Sequence, residues 1–426
     1  MPSFQTLNPA QRDALPAELH QRYENFQSRG LALDMTRGKP APEQLDLAQE
    51  MLDLPGRNDY RDDNGADCRN YGGLDGLPQM KQLFAEILEV APQQVIVGGN
   101  ASLNMMYDTL ARACLFGVPG GSAPWASDPQ RKFLCPSPGY DRHFTVTEEL
   151  GFELITVEMN DNGPDMEQVE QLAAADAGIK GIWCVPKYSN PTGVTYSDET
   201  VRRLAAMHAA APDFRILWDN AYAEHHLGTE HDPLANISQA CEAAGNPDRV
   251  VQFASTSKVS FAGSGVAALA SSGANIADAK RHLAAQTIGP DKLNQLRHLQ
   301  YFKNLDGLRE HMAKHAALLK PKFDLVLELL GKELKGKDIA EWTSPNGGYF
   351  ISLDVIDGTA NRVVQLAGEA GVKLTSAGAT YPYGKDPRDR NIRIAPSFPS
   401  LGDIRQAMEV LAICVQLAAL EKLKQG

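Results

Sequence analysis

Short apolar runs alternate with segments of helical periodicity from about residue 76 to residue 272. This alternation is typical of a doubly wound α/β sheet. Near-continuous apolar runs such as FRILW and RVVQF favour parallel strands that are covered on both faces. The predicted strands are Val95–Gly98, Lys132–Cys135, Glu153–Glu158, Gly181–Pro186, Phe214–Asp219, Arg249–Ser255 and Gly265–Ser271. We therefore expect an α/β fold with a mostly parallel seven-stranded sheet and helices on both of its faces.

Helical periodicity fills the segments between these runs. It predicts one helix over Ala101–Phe116 and another over Ser197–Ala210, which has Ser197 as its N-cap and acidic residues in its first turn. A longer helical stretch, Leu293–Leu330, is interrupted near Asn304–Gly307. We expect two consecutive helices there.

The pattern changes character after about residue 275. Two strand-like pieces, GGYFISLD and NIRIAP, precede an amphipathic helix that starts at Leu401. This arrangement is typical of an α+β unit, to which the first 60 residues are expected to contribute. We predict a large domain over residues 61–305 and a smaller domain made of residues 1–60 and 306–426.

Composition narrows the class of protein. The chain of 426 residues carries a net charge of -12, which argues against a nucleic-acid binder. The N-terminal residues lack the apolar region of a secretion signal, and no apolar run approaches the ~18 residues that span a bilayer. Six scattered cysteines without a CxxC pair predict neither a metal site nor a disulfide framework. We expect a cytoplasmic protein that binds neither nucleic acid nor a membrane.

The segment STSKVSFAG places Lys258 directly after the RVVQF strand. A lysine at a strand end can sit in a pocket with its amine partly desolvated, which lowers its pKa and favours nucleophilic attack to form an imine. The alternative is a solvated surface lysine, which is the commoner case for a single lysine.

The segment WDNAYAEHH begins where the apolar strand FRILW ends. Asp219 lies at that carboxyl end, where open α/β sheets bind ligands, and its carboxylate could pair with a protonated pyridine nitrogen. Tyr222 could reach an oxygen on the same ring. A helix N-cap and a core aromatic are the alternative roles of these two residues.

Two further segments follow predicted strands. In PKYSNPTG, Asn190 offers an amide donor. We expect the Asn190–Pro191 peptide to be cis, or at least a strained turn that aims the amide into the site; a plain turn would use the same residues. In GGNASLNMMYDTL, two glycines and Asn100 precede a helix whose free N–H groups could hold a phosphate. Neither a P-loop nor a dinucleotide fingerprint is present.

Taken in order, these motifs resemble a known family. Asn-Pro-Thr-Gly, Asp-x-x-Tyr, Ser-x-Ser-Lys and a late arginine, Arg393, are similar to the class I aminotransferases among the fold-type I pyridoxal-phosphate enzymes. The resemblance runs from Tyr71 to the C-terminal helix. MTRGKP and SKVSFAGSGVA look most like a bacterial branch of aspartate aminotransferase-like enzymes.

The resemblance implies pyridoxal 5'-phosphate as cofactor and a role for each matching residue. Lys258 would carry the cofactor and then move the substrate proton, Asp219 would keep the pyridine nitrogen protonated, and Tyr222 would bond the ring oxygen. Tyr71 would reach the phosphate of the neighbouring subunit, which implies a homodimer with shared active sites. The cofactor-binding set is Tyr71, Asn100, Ala101, Ser102, Tyr140, Asn190, Asp219, Tyr222, Ser255, Ser257 and Lys258.

The substrates implied are an amino acid and a 2-oxo acid such as 2-oxoglutarate. Arg393 would grip the substrate α-carboxylate through its bidentate fork, with Asn190 and Gly38 on the substrate side. Arg37, in MTRGKP, is the candidate for a side-chain carboxylate of aspartate or glutamate, and a surface arginine is its alternative role.

One position departs from the family. Many relatives carry an arginine eight residues after the lysine as a phosphate clamp, and here that position is Val266. Either hydroxyl groups and backbone hold the phosphate, with Ser264 as a candidate substitute, or a remote cation serves.

Two other functions fit the same motifs. A carbon–sulfur lyase would share Lys258, Asp219 and Arg393, whereas an aminotransferase-like sensor of a transcription regulator would need an N-terminal DNA-binding domain. Only about 70 residues precede Tyr71, with no evident helix-turn-helix. We therefore expect an aspartate aminotransferase-like transaminase.

Overall fold

The computed structural model describes Phe4 and residues 9–425, so the remaining terminal residues of the predicted small domain lie outside it. The helices are α1 Pro9–Gln27, α2 Pro42–Asp46, α3 Pro78–Leu88, α4 Ser102–Phe116, α5 Asp141–Glu149, α6 Met166–Ala175, α7 Asp198–Ala206, α8 Ile237–Ala243, α9 Gly273–Gln286, α10 Lys292–Phe302, α11 Leu305–Leu334, α12 Ala360–Glu369 and α13 Leu401–Gln425. The strands are β1 Leu33–Asp34, β2 Val95–Val97, β3 Lys132–Ser137, β4 Glu153–Asn160, β5 Gly163–Pro164, β6 Ile179–Cys184, β7 Arg215–Asp219, β8 Val250–Ser255, β9 Ala267–Ser271, β10 Ala340–Trp342, β11 Ile351–Val355, β12 Val372–Lys373 and β13 Asn391–Ile394.

The large sheet has the order β2-β9-β8-β7-β6-β3-β4-β5. The pairs from β8 across to β4 are parallel, while β9 runs antiparallel to both of its neighbours. All seven predicted strands are present, and the two-residue β5 adds a short antiparallel edge to β4. The α/β fold with a mostly parallel sheet is confirmed.

Helices cover both faces of this sheet. Along the fully buried β7, Ile216 and Trp218 pack into one core with residues of α6, α7 and α8. Leu217, which lies between them, packs into the opposite core with residues of α4, α5 and α9. This alternation explains why the strand is apolar along its length, because side chains on both of its faces are buried.

A second, smaller sheet lies in the C-terminal part of the chain. Strands β10, β11 and β13 are antiparallel and share an apolar core with α11, α12 and α13. The short β1 pairs with β12, where Leu33 lies opposite Val372, so the N-terminal segment joins this part of the fold. The boundaries at residues 60/61 and 305/306 stay predictions.

The predicted helix limits hold at their starts more often than at their ends. Ser197 caps α7 by accepting from the Thr200 N–H, as predicted. The helix nevertheless ends at Ala206 and not at Ala210, because Asn246 and Arg249 donate to the Ala205 carbonyl and Arg249 also donates to the Met207 carbonyl. If the helix continued, backbone N–H groups would donate to these carbonyls. Side chains distant in sequence donate to them instead.

The predicted interruption of the long helical stretch is present. It separates α10 from α11, and Asn304 caps α11 by accepting from the Gly307 N–H. Within the described part of the chain, no helix has the length and apolar character needed to cross a membrane. The six cysteines are buried and unpaired with one another.

Candidate active site

A cavity of about 190 Å³ opens where the parallel strands of the large sheet end. Its walls come from segments that follow β2, β3, β6, β7 and β8. The lining residues are Ala101, Ser102, Leu103, Met106, Tyr140, Val185, Asn190, Asp219, Ala221, Tyr222, Ser255, Ser257 and Lys258. Ligands of open α/β sheets bind at this edge, so the position favours a binding site.

Lys258 lies at one wall of the cavity, in the turn after β8. Its Nζ is 5.2 Å from the centre of the Tyr222 ring and 5.9 Å from that of Tyr349. Burial lowers the pKa of Lys258, and the carboxylate of Asp219 acts in the opposite direction. Because desolvation disfavours the charged form, a larger share of this amine is neutral and nucleophilic than in an exposed lysine.

Asp219 ends β7 and is 3% exposed. Its Oδ2 lies 2.9 Å from His143 Nε2, and because a carboxylate only accepts, the imidazole N–H donates. His143 in turn stacks on the Trp183 indole, with ring centres 4.2 Å apart. Among the described residues, Oδ1 of Asp219 has no hydrogen-bond partner although it is buried. A buried acceptor of this kind fits a ligand that carries an N–H, such as a protonated pyridine.

The part of the cavity formed by Ala101, Ser255 and Ser257 suits a small anion. Helix α4 begins there without a side-chain cap at Ala101, so the N–H groups of its first turn are free for a ligand. Ser255 Oγ donates to Ser257 Oγ at 3.1 Å. A Cβ on Gly265 would come within 2.9 Å of the Asn100 carbonyl oxygen, so the backbone packs closely beneath these groups. The arrangement fits a phosphate.

Arg393 belongs to β13, contacts Asn190 of the cavity wall and is 8% exposed. Its guanidinium carbon lies 5.0 Å from the centre of the Phe350 ring. Nη1 donates to Asp141 Oδ1 at 2.9 Å and to Asn190 Oδ1 at 3.4 Å. Nε is buried and has no partner among the described residues. Nε is therefore open to a ligand, whereas Nη1 is held by Asp141 and Asn190.

The sequence matches the family model described as aspartate amino-transferase over residues 7–426. The chain belongs to the aspartate aminotransferase family. Its similarity to two transaminases extends over nearly the whole length of both chains.

An aspartate aminotransferase of Corynebacterium glutamicum is 48% identical over 404 residues, which are 95% of this chain and 93% of the relative. A crystal structure of an aspartate transaminase from the same species is 47% identical and superposes with a TM-score of 0.96 over 99% of each chain. The transcriptional regulator NorG of Staphylococcus aureus is 24% identical over 64% of this chain and 58% of the regulator. The full-length similarity to transaminases identifies this family member as an aminotransferase.

Most of the predicted cofactor residues of this aminotransferase come together in the structure. Nine of them line the cavity: Ala101, Ser102, Tyr140, Asn190, Asp219, Tyr222, Ser255, Ser257 and Lys258. Asn100 lies immediately beside them, and its carbonyl accepts from Ser257 Oγ at 3.5 Å. The Asn190–Pro191 peptide is cis, as predicted.

Tyr71 lies apart from this group. Its side chain is 81% exposed, yet the loop that carries it is firmly held, because Lys292 Nζ donates to the carbonyls of Asn70 and Gly72 at 2.7 and 2.6 Å. A large exposed aromatic on a fixed loop is suited to contact another chain.

The two residues of the N-terminal segment that were predicted to lie on the substrate side, Gly38 and Arg37, are placed differently. Gly38 packs against the Phe350 ring, which a Cβ at this position would overlap. Because the same ring supports Arg393, Gly38 belongs to the surroundings of that guanidinium. Arg37 is exposed and does not line the cavity.

The phosphate-clamp position of many family members has no equivalent cation here. Val266 is 2% exposed and packs in an apolar core beside α3 and α10. Ser264 does not line the cavity, and its carbonyl accepts from Asn294 Nδ2. Among the described lining residues, Lys258 is the one cation.

Sequence reasoning missed two polar residues of α5, Asp141 and His143. Both follow Tyr140 in the segment YDRH. For His143 the sequence did contain a signal, namely a polar side chain on the apolar face of a helix. His143 lies beside Phe144 and one turn before Thr147, and all three are buried.

Proposed function

We propose that this aminotransferase binds pyridoxal phosphate in the cavity and moves an amino group from aspartate or glutamate to a 2-oxo acid such as 2-oxoglutarate. The observation that carries the proposal is the buried Oδ1 of Asp219, which has no hydrogen-bond partner in the described part of the chain and lies on a cavity that also holds Lys258. The similarity to an aspartate aminotransferase over 95% of the chain supports the same activity.

The residues at the inner end of the cavity would hold the cofactor ring. Asp219 would accept from the pyridine N–H through Oδ1, while His143 holds the other oxygen and so fixes the orientation of the carboxylate. When bound, pyridoxal phosphate supplies an electron-withdrawing ring that weakens the bonds at the substrate Cα. Tyr222 keeps its phenolic proton because burial raises its pKa well above the usual value. It can therefore donate to the ring oxygen.

Lys258 would carry the cofactor and act on the substrate proton. Burial lowers the pKa of its amine, which is therefore neutral more often than that of an exposed lysine. The neutral amine could accept the proton from the substrate Cα and deliver it to the adjacent carbon of the cofactor. Tyr140 would cover the ring from the other side, and burial raises its pKa to about 12, so it stays uncharged. Ser255, Ser257 and the start of α4 would bind the phosphate.

Arg393 and Asn190 would bind the α-carboxylate that every amino acid and 2-oxo acid carries. The Asn190 side chain lines the cavity and accepts from Arg393, so it connects the cofactor region with the carboxylate site. Arg37 remains our candidate for a side-chain carboxylate. Its exposed position requires that the segment around it move toward the cavity when a dicarboxylate binds.

A donor screen tests the proposed reaction. With 2-oxoglutarate as acceptor, aspartate should be converted to oxaloacetate with stoichiometric formation of glutamate and without ammonia. A carbon–sulfur lyase would instead release ammonia, a thiol and a 2-oxo acid from a sulfur-containing amino acid, and it would need no 2-oxo acid as acceptor. A sensor domain would bind an amino acid without turnover. Either of these results would contradict the proposal.

Shared active sites in a homodimer give a second testable prediction. The exposed Tyr71 would donate to the cofactor phosphate of the partner subunit, so Tyr71→Phe should weaken cofactor binding about ten- to a hundredfold, as expected for a hydrogen bond to a charged group. We expect a mixed dimer of Tyr71→Phe and Lys258→Ala subunits to regain activity, because one of its two sites has both native residues.

The control for this experiment is each variant refolded alone under the same conditions, which should stay at its own low activity. Activity of the mixture equal to the average of the two parents would show that the sites are not shared.

We further propose a cytoplasmic location, which the six unpaired, buried cysteines support.

A further inference from the structure

The guanidinium of Arg393 is paired with a carboxylate of its own chain. Nη1 lies 2.9 Å from Oδ1 of Asp141, the first residue of α5. The two side chains differ in burial, since 9% of the Arg393 side chain is exposed but 38% of that of Asp141. The pair thus joins a buried cation to a carboxylate that reaches solvent.

The two partners are also held with different firmness. Arg393 is fixed by its strand, by the Phe350 ring below it and by Asn190. Among the described residues, the carboxylate of Asp141 has Arg393 as its only hydrogen-bond partner. If Asp141 turned away, no other hydrogen bond would break, and its charge would stay near the N-terminus of α5, where a negative charge is favoured.

We infer that Asp141 is a tethered competitor of the substrate: it occupies Arg393 while the site is empty, and the α-carboxylate of an incoming amino acid or 2-oxo acid displaces it. This inference rests on the proposed role of Arg393. A substrate carboxylate can bind only while Asp141 is away from the guanidinium. The apparent affinity for every substrate is therefore the intrinsic affinity multiplied by the fraction of time that the guanidinium is free. It does not change the rate from the bound state, because Asp141 has left by then.

The variant Asp141→Asn keeps the shape of the side chain and removes its charge. We expect the KM of every amino donor and of every 2-oxo acid to fall by one common factor, about three- to tenfold for a partly exposed ion pair. The value of kcat should stay within about twofold of wild type, since the interactions of the bound substrate are unchanged.

The matched control is Asp354→Asn. Asp354 pairs with Arg390 at 2.9 Å and its side chain is 35% exposed, so it resembles Asp141 in geometry and burial, but its partner is Arg390 and not Arg393. This variant should leave every KM unchanged. Melting temperatures of both variants identify any general loss of folding.

Binding of propionate, a carboxylate that cannot be transaminated, gives a readout without turnover. Calorimetric titration of the purified protein should show tighter propionate binding to Asp141→Asn than to wild type, by the factor found for KM. If wild type transaminates no donor, the proposed function fails, while this titration still decides whether Asp141 competes for Arg393.

Three results would overturn the inference. A higher KM for all substrates would make Asp141 a positioning residue that supports Arg393. A lower KM for dicarboxylates alone would mean that Asp141 repels a side-chain carboxylate. Unchanged KM and unchanged propionate binding would mean that no competition takes place.

Discussion

Replacement of Lys258 by alanine is expected to lower kcat by about four orders of magnitude or more, because in the proposed mechanism Lys258 would both attach the cofactor covalently and transfer the substrate proton. The purified variant should also lack the absorbance of the lysine-linked cofactor, so that the yellow colour expected of the wild-type protein is lost. Both effects follow from the place of this amine on the cavity wall, where burial lowers its pKa.

The control variant is Lys187→Ala. Lys187 is a second lysine whose pKa burial lowers, but it lines a neighbouring cleft and not the cavity. Its loss should change neither colour nor kcat by more than about twofold, as for a substitution away from the reacting groups. Substantial turnover in Lys258→Ala would remove the proposed mechanism altogether.

Replacement of Arg393 by alanine should lower kcat/KM for every amino donor. Breaking a buried, charge-assisted pair with the α-carboxylate costs about 2–5 kcal/mol. This corresponds to roughly one and a half to nearly four orders of magnitude at about 1.4 kcal/mol per tenfold change. Steady-state kinetics with aspartate, alanine and phenylalanine measure the effect.

Two further variants separate the α-carboxylate from the side chain of the substrate. Arg390→Ala removes the arginine that pairs with Asp354 just before β13, and it should leave all donors unaffected. Arg37→Ala should lower kcat/KM for aspartate and leave kcat/KM for alanine and phenylalanine unchanged. Equal losses on all donors in Arg37→Ala would make Arg37 structural, and small, equal losses in both Arg37→Ala and Arg393→Ala would place the substrate elsewhere.

The sheet could be predicted from the sequence because its central strands are buried on both faces and carry near-continuous apolar runs. The edge strand β5 consists only of Gly163 and Pro164, which carry no such signal. The end of α7 was wrong by four residues for a different reason. The donors that stop it, Asn246 and Arg249, lie 41 and 44 residues away from Ala205, and periodicity does not report such contacts.

The candidate site likewise contains residues that the strand pattern predicts and residues whose roles depend on contacts distant in sequence. Asp219 ends a predicted strand, and Lys258 and Asn190 follow two others, so the topology of a parallel sheet brings them to one edge. His143 was missed because its role depends on Asp219, 76 residues further on. The pairing of Asp141 with Arg393 spans 252 residues and was equally hidden. The phosphate-clamp position is a further case, since Val266 belongs to an apolar core in this chain.

The central claim is that the protein exchanges an amino group with its cofactor in two separate half-reactions. The most direct measurement mixes purified protein with aspartate in the absence of any 2-oxo acid and follows absorbance, oxaloacetate and ammonia. We predict about one equivalent of oxaloacetate per subunit, no ammonia, and a change in absorbance that 2-oxoglutarate reverses while glutamate forms. Continuous release of ammonia, or no change in absorbance with any amino acid, would contradict the account.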